Sequence, residues 1–231
     1  MTQDKNIRHP AKYTESFIPI FADLLKGFAK VLDPFAGVGK IAEIKKYGYS
    51  GIVYANDIER EWIFSNQYQP DVVSCSDAQK LLDVYSAGFF DAICTSPTYG
   101  NRMADHFVAK DNSKRITYTH CLGRSLTDGN TGKMQFGDEY KRKHIECYKT
   151  FCDLLKDGGI FILNISNHIR NGQEVSVSEW HADTLQSVFG LELVDDIHCN
   201  TPRCRFGANA KARVEFEHIY VFQKRIKEAD G

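Results

Sequence analysis

The sequence predicts an α/β domain built on a mostly parallel seven-stranded sheet with an antiparallel last strand. Three observations predict it. Short apolar runs alternate with segments of helical periodicity, the order expected of successive βαβ units with helices on both faces of a sheet. A tight glycine turn, "DPFAGVGK" (33–40), closes the first run and opens a helix. The last two runs have no helical pattern between them, so the final strand is expected to return antiparallel, as a direct connection requires.

The elements follow in order. Residues 1–10, "MTQDKNIRHP", are polar. The run 14–28, "TESFIPIFADLLKGF", places Phe17, Phe21, Leu24, Leu25 and Phe28 at helical spacing. Thr14 is its expected N-cap, and Pro19 must lie in the first turns or kink the segment. Strands are expected at 30–35, 51–57, 71–75, 89–97, 159–166, 191–198 and 214–224, and further helices at 39–47, 59–67, 138–156 and 178–188. The stretch 100–137 breaks this rhythm, being long, polar and rich in turn formers. Loops of that length inside a compact domain are usually functional or disordered. No internal repeat or low-complexity tract appears.

With 231 residues the chain is long enough for one sizeable core, and 1–231 is expected to form a single domain. Its 42 % hydrophobic and 26 % charged residues are ordinary for a globular protein, and a net charge of −1 excludes a global field that would draw it onto polyanions. Any nucleic-acid contact must come from a local basic patch. The seven cysteines are an odd number without a CxxC, and no leader segment precedes them, so reduced thiols and a cytoplasmic location are expected. Cys199 and Cys204 lie near His198, and Cys121 follows His120, but neither set has zinc-ligand spacing; no metal is expected. No apolar run reaches the ~18 residues of a membrane span, so no membrane partner is expected.

The glycine turn carries the first chemical signal. Ligands of open α/β sheets bind beyond the carboxyl ends of the strands, near the point where strand order reverses. Gly37 and Gly39 permit φ > 0 and leave room where a Cβ would obstruct a ligand, and the following helix start offers unpaired N–H groups. A P-loop would need GxxxxGK[ST], which is not met. "GVGKIA" (37–42) does fit the relaxed dinucleotide fingerprint, so a nicotinamide enzyme is one alternative. Asp33 weighs against it, because a carboxylate at that strand end disfavours a pyrophosphate and suits a cation such as an α-amino group. Asp57 ends the second strand, where an acid can bond ribose hydroxyls. Asp77 ends the third, where a carboxylate can accept from an adenine amine. Each acid alone could instead cap a helix. The ordered set of three describes S-adenosyl-L-methionine.

The second signal is "CTSPTYGNR" (94–102), at the end of the fourth strand. Pro97 fixes its own φ and biases Ser96 to an extended backbone, aiming carbonyls and the Ser96 hydroxyl into the site. Tyr99 offers a flat face for a planar ring. Acceptors beside a stacking ring suit an exocyclic amine on a nucleobase, whose developing charge they would stabilise. The plainer alternative is a Ser-Pro turn with a surface tyrosine.

Together, "DPFAGVG" and "TSPTYG" resemble motifs I and IV of the amino-methyltransferases that modify cytosine N4 or adenine N6 in DNA. "HPAKYTESFIPIF" (9–21) resembles the cofactor-binding segment that family places ahead of motif I. "LLKDGGIFILNISN" (154–167) and "RFGANAKARVEFEHIYVFQK" (205–224) resemble its later elements, so the likeness spans most of the chain except 100–137. The resemblance implies a Rossmann-like class I methyltransferase fold. It also implies that Lys12, Tyr13, Thr14, Asp33, Phe35, Gly37 and Gly39 surround the methionine part of the cofactor. Asp57 would then hold the ribose, Asp77 the adenine, and Ser96, Pro97 and Tyr99 would form the catalytic base pocket. A serine opening motif IV favours cytosine N4 over adenine N6. Thr98 departs from the family's S-P-P-Y, removing a fixed φ and adding an N–H and a hydroxyl. No separate target-recognition domain is expected within these 231 residues.

Between Gly100 and Ile145 nine Lys/Arg face five Asp/Glu, interleaved with aromatic residues, a pattern suited to phosphate contacts. Arg102, Lys114, Arg115 and Arg124, with Arg205 from a second cluster, are the expected contacts to DNA that is single-stranded or has a flipped base. The run "YKRKH" (140–144) could equally be the solvated face of a helix. The expected reaction is direct methyl transfer from S-adenosylmethionine to a DNA base amine. RNA base methylation and a catalytically weak binding homologue are the alternatives.

Overall fold

The structure is a computed structural model in which residues 9–101, 117–201 and 214–226 are described. In chain order the elements are α1 (Phe17–Leu24), β1 (Lys30–Asp33), β2 (Ile52–Asn56), α2 (Arg60–Ile63), β3 (Val72–Ser74), β4 (Phe90–Thr95), α3 (Tyr118–Leu122), α4 (Asp138–Leu154), β5 (Leu155–Ile165), β6 (His168–Arg170), β7 (Gln173–Val175), α5 (Val177–Ser187), β8 (Glu192–Asn200) and β9 (Phe216–Gln223). Tighter 3-10 turns lie at Lys40–Tyr47, Ala78–Asp83 and Thr131–Lys133.

Seven of the strands form one sheet in the order β3-β2-β1-β4-β5-β9-β8. β1 to β5 run parallel, and β9 lies antiparallel between β5 and β8. The fold is the expected mostly parallel α/β sheet with an antiparallel last strand. β1 pairs with β2 on one side and β4 on the other, so the strand order reverses there and opens a crevice at the carboxyl ends.

Strand alternation divides the core between the two faces. Leu32 of β1, Phe161 and Leu163 of β5 and Phe222 of β9 pack with Tyr148, Phe151 and Leu154 of α4 and Leu185 of α5. Val31, Val53, Ala92, Ile162 and Val221 point the other way, onto Phe17, Phe21 and Leu25 and onto Ile41 and Ile44 of the first 3-10 turn. Each fully buried side chain of this kind contributes about 1.5–3 kcal/mol, so both layers hold the sheet in place.

Several expected boundaries shift for local reasons. α1 begins at Phe17, with Ser16 rather than Thr14 at the N-cap position, and Pro19 is its third residue, where no intrahelical donor is needed. The helix expected at 39–47 is a 3-10 segment bracketed by Gly39 and Gly48, both in the left-handed region. α2 stops at Ile63, ahead of Asn66 at φ 55. α4 stops at Leu154 because β5 begins with the next residue. The hairpin β6–β7 was not expected from the pattern, although "RNGQ" (170–173) announces it. Asn171 and Gly172 supply the two positive φ values, 52° and 76°, that such a turn needs. Among the described residues no helix is long and apolar enough to cross a membrane.

Candidate active site

The carboxyl ends of β1, β2 and β4 open into a cleft of about 320 Å³. Lys12, Tyr13 and Thr14 line it from the N-terminal segment, Phe35 from the glycine turn, Asp57 and Asp77 from the ends of β2 and β3, and Ser96 to Tyr99 from the end of β4. The segments singled out in the sequence are therefore brought together at the crevice.

The three acids differ in placement. Asp33 is fully buried and is not itself on the cleft wall. Its Oδ2 accepts the Tyr13 hydroxyl at 2.9 Å, and its Oδ1 accepts the Thr95 hydroxyl at 2.9 Å and the Phe35 amide at 3.1 Å. Burial nevertheless pushes its carboxyl up to about 7. Asp57 accepts the amides of Gly37 at 2.9 Å and Glu59 at 2.8 Å, and burial, reinforced by the Glu59 charge, raises it likewise to about 7. Asp77 caps the Ala78–Asp83 turn through the Gln79 amide and is gripped by Lys143 Nζ at 2.7 and 2.8 Å. Asp77 thus caps a turn and lines the cleft at once. The run "YKRKH" is correspondingly split: Lys143 turns inward to Asp77, while Arg142 stays exposed.

The glycines need a correction. Gly37 and Gly39 have φ 56° and 80°, as expected, but neither lines the cleft. A Cβ on Gly37 would meet His9 Nε2 at 2.9 Å, and one on Gly39 would meet Pro70 at 3.2 Å. The room left by their missing side chains is filled by the protein itself. His9 packs edge-on against Trp62 at 4.3 Å, and burial holds its imidazole down at about 4, hence neutral.

The loop after β4 is tied from two sides. The Thr98 hydroxyl donates to Thr131 Oγ1 at 2.9 Å, and the Thr98 carbonyl accepts the Tyr140 hydroxyl at 2.5 Å. Tyr140 Oη also meets His181 Nε2 at 2.8 Å, and the Tyr148 hydroxyl meets His181 Nδ1 at 2.5 Å. All three side chains are fully buried. A single proton order satisfies the chain: Tyr148 donates to Nδ1, Nε2–H donates to Tyr140, and Tyr140 donates to the carbonyl. Burial depresses the His181 pKa well below its usual value, which keeps this neutral tautomer. The Thr98 hydroxyl and the buried relay together fix the loop.

Residues 117–137 fold back beside the site through Glu59. This carboxylate, with no exposed surface, accepts Arg124 Nη2 at 2.7 Å, the Thr127 amide and hydroxyl at 2.8 and 2.9 Å, and Asn130 Nδ2 at 2.8 Å. Arg124 also binds Glu61. Its guanidinium is therefore committed within the molecule rather than presented to phosphate. Arg102, Lys114, Arg115 and Arg205 lie outside the described residues.

The sequence reading missed six site residues. His9, Trp62 and Tyr118 form an aromatic wall, and Trp62 Nε1 and His9 Nδ1 are buried there without a hydrogen-bond partner. Asn164 and Glu217, from β5 and β9, close the side nearest Tyr99. Glu59 had shown only as a helix start. No local pattern marks these residues, because each acquires its role from a neighbour more than 50 positions away or from the aromatic packing. One further group gathers on the edge ladder: Asp196, His198 and His218 have ligand-type atoms within 4.8 Å of one another. The Asp196 carboxylate pairs with His218 Nδ1 at 2.9 Å and His198 Nε2 at 3.1 Å, which accounts for the group without an ion.

Scans against family models and against curated protein sequences find no match. Solved structures do match. A SAM-dependent methyltransferase from Methanosarcina mazei aligns over 90 % of this chain and 98 % of its own, with a TM-score of 0.56 at 11 % identity. TrmN from Thermus thermophilus aligns over 96 % of this chain, which spans only 52 % of that protein, with a TM-score of 0.54 at 16 % identity. The [4+2]-cyclase SpnF aligns over 90 % of this chain and 82 % of its own, with a TM-score of 0.53 at 15 % identity. At such identities the likeness establishes the fold, that of the Rossmann-like class I methyltransferases, and the cyclase shows that the fold alone does not set the reaction.

Proposed function

We propose that the protein is an S-adenosylmethionine-dependent methyltransferase acting on an exocyclic amine of a nucleic-acid base, with cytosine N4 in DNA ahead of adenine N6. The observation that carries this reading is the shared cleft: the acids ending β2 and β3 line the same space as the Ser96–Tyr99 turn ending β4. The residues present fit the cofactor. Trp62 and His9, each with a buried nitrogen lacking a hydrogen-bond partner, line the same cleft as Asp57, so donors and acceptors for a ribose are both in the wall. Phe35, Trp62 and Tyr118 supply apolar faces.

When bound, S-adenosylmethionine supplies an electrophilic methyl group. The chain's own residues do the rest. Asp57 would accept the ribose hydroxyls, and Asp77 an adenine amine alongside Lys143. Tyr13, held by Asp33, and Lys12 would flank the methionine end. Tyr99 would stack on the target ring, while Ser96 and the backbone carbonyls at Pro97 accept the amine N–H groups and favour charge growing on nitrogen. The amine would itself be the nucleophile, its nitrogen taking the methyl group as the S–CH3 bond breaks and S-adenosylhomocysteine departs, and its surplus proton would pass to solvent, so no cysteine is required. Incubating the protein with labelled S-adenosylmethionine and either DNA or RNA, then digesting to nucleosides for mass spectrometry, tests the proposal. N4-methylcytosine or N6-methyladenine in DNA is the expected product. Label appearing only in RNA would move the substrate, and no heat with S-adenosylhomocysteine in calorimetry would overturn the cofactor.

A further inference from the structure

Glu217 belongs to the last strand, far in sequence from both motifs, yet its carboxylate reaches the acceptor side of the cleft. Glu217 Oε2 accepts the Tyr99 hydroxyl at 2.9 Å and Asn164 Nδ2 at 3.1 Å. The Tyr99 oxygen in turn lies 3.3 Å from Ser96 Oγ. A hydroxyl owns one proton, and an ionised carboxylate can only accept. If Tyr99 gives its proton to Glu217, the bond between the two hydroxyls must take its proton from Ser96. The Ser96 oxygen is then left to face the cleft with lone pairs alone.

That direction matters for what the pocket can hold. An amino group offers N–H donors and matches an acceptor serine. An exocyclic keto oxygen in the same place would set lone pair against lone pair, an unmatched polar contact in a partly buried site. The carboxylate also brings a negative charge to the wall where positive charge would grow on the amine during transfer.

We infer that Glu217 is a positioning residue of the acceptor pocket: by taking the Tyr99 proton it makes Ser96 a hydrogen-bond acceptor, so the pocket selects a base by its amino group over the keto analogue. The inference rests on the nucleic-acid amine reading above and names a determinant within it. Glu217→Gln keeps size and removes the fixed direction, since an amide can either accept from Tyr99 or donate to it.

The test uses the full chain, S-adenosylmethionine for turnover and S-adenosylhomocysteine for binding, and paired oligonucleotides carrying either the unmethylated amino base or its keto counterpart, uracil for cytosine or hypoxanthine for adenine. Glu217→Gln is expected to lower kcat at least tenfold with S-adenosylhomocysteine affinity and unfolding temperature unchanged. It is also expected to shrink the amino-over-keto binding preference several-fold. In a Tyr99→Phe background, where the hydroxyl link is already gone, the same change should cost little more. Full turnover and an intact preference in Glu217→Gln would overturn the inference and leave the methyltransferase reading standing. So would a loss of S-adenosylhomocysteine binding or folding in Glu217→Gln together with normal preference in Tyr99→Phe. A wild-type protein that binds S-adenosylhomocysteine but methylates neither DNA nor RNA would overturn the nucleic-acid reading first and this inference with it.

Discussion

Asp33 and Asp57 show how burial rather than charge pairing sets the chemistry of single residues. Both carboxyls sit at about 7 because desolvation outweighs the hydrogen bonds that favour ionisation. A bound ammonium or ribose would favour the ionised forms and lower those values, so binding near neutrality should expel protons. Calorimetry of S-adenosylhomocysteine in buffers of different ionisation enthalpy should show proton release between about pH 6 and 7, with affinity rising with pH across that range. Release that is absent from wild type would remove both carboxyls from the binding event. Asp33→Ala should abolish this binding, whereas Tyr99→Ala should cost turnover more than cofactor affinity. Gly37 is a different case, because its left-handed backbone and the His9 ring both exclude a side chain. Gly37→Ala should lose about 1–2 kcal/mol from φ alone, read as a lower midpoint in urea.

At the scale of elements, two buried polar assemblies hold loops against the sheet. Glu59 gathers donors from three residues between 124 and 130. Glu59→Ala should strand those donors and cost about 2 kcal/mol or more, with faster hydrogen exchange at Thr127 and Asn130 as its signature. Arg124 is partly exposed, so its charge adds less than a buried pair would. The relay from Tyr148 through His181 and Tyr140 ends on the Thr98 carbonyl. Tyr140→Phe leaves that carbonyl and His181 Nε2 without their partner, for about 1–3 kcal/mol. Adding Thr98→Pro to that variant should then recover loop order, seen as recovered kcat, if rigidity is what the relay supplies. The loop that carries Thr98 is thus restrained by side chains of α4 and α5.

For the whole molecule, the two raised carboxyls link stability to pH. Between the ordinary carboxyl range near 4 and about 7, the folded apo-protein keeps protons that the unfolded chain releases. Their contribution is therefore fullest below about 4 and is lost as pH rises toward 7, at up to about 1.4 kcal/mol per pH unit for each group. Urea unfolding of wild type and Asp57→Asn from pH 5 to 7 should show the variant gaining relative stability as pH rises. A constant difference across that range would mean Asp57 does not titrate there.

The sheet, its two-faced core and the crevice were legible in the chain because they rest on periodicity and on turn chemistry, which are local. The alternation of Val31 and Leu32 between the two core layers is written in adjacent residues. So are the glycine turn and the Ser-Pro turn, and so was the hairpin at Asn171 and Gly172, although that signal went unread. Tertiary structure decided what the local pattern could not. It filled the space at Gly37 with His9, spent Arg124 on Glu59, gave Asp77 to Lys143, and carried Glu217 across 118 positions to the hydroxyl of Tyr99. The physical reason is that a side chain's polarity is fixed by its own sequence position, but the partner that satisfies it is chosen by strand order and packing.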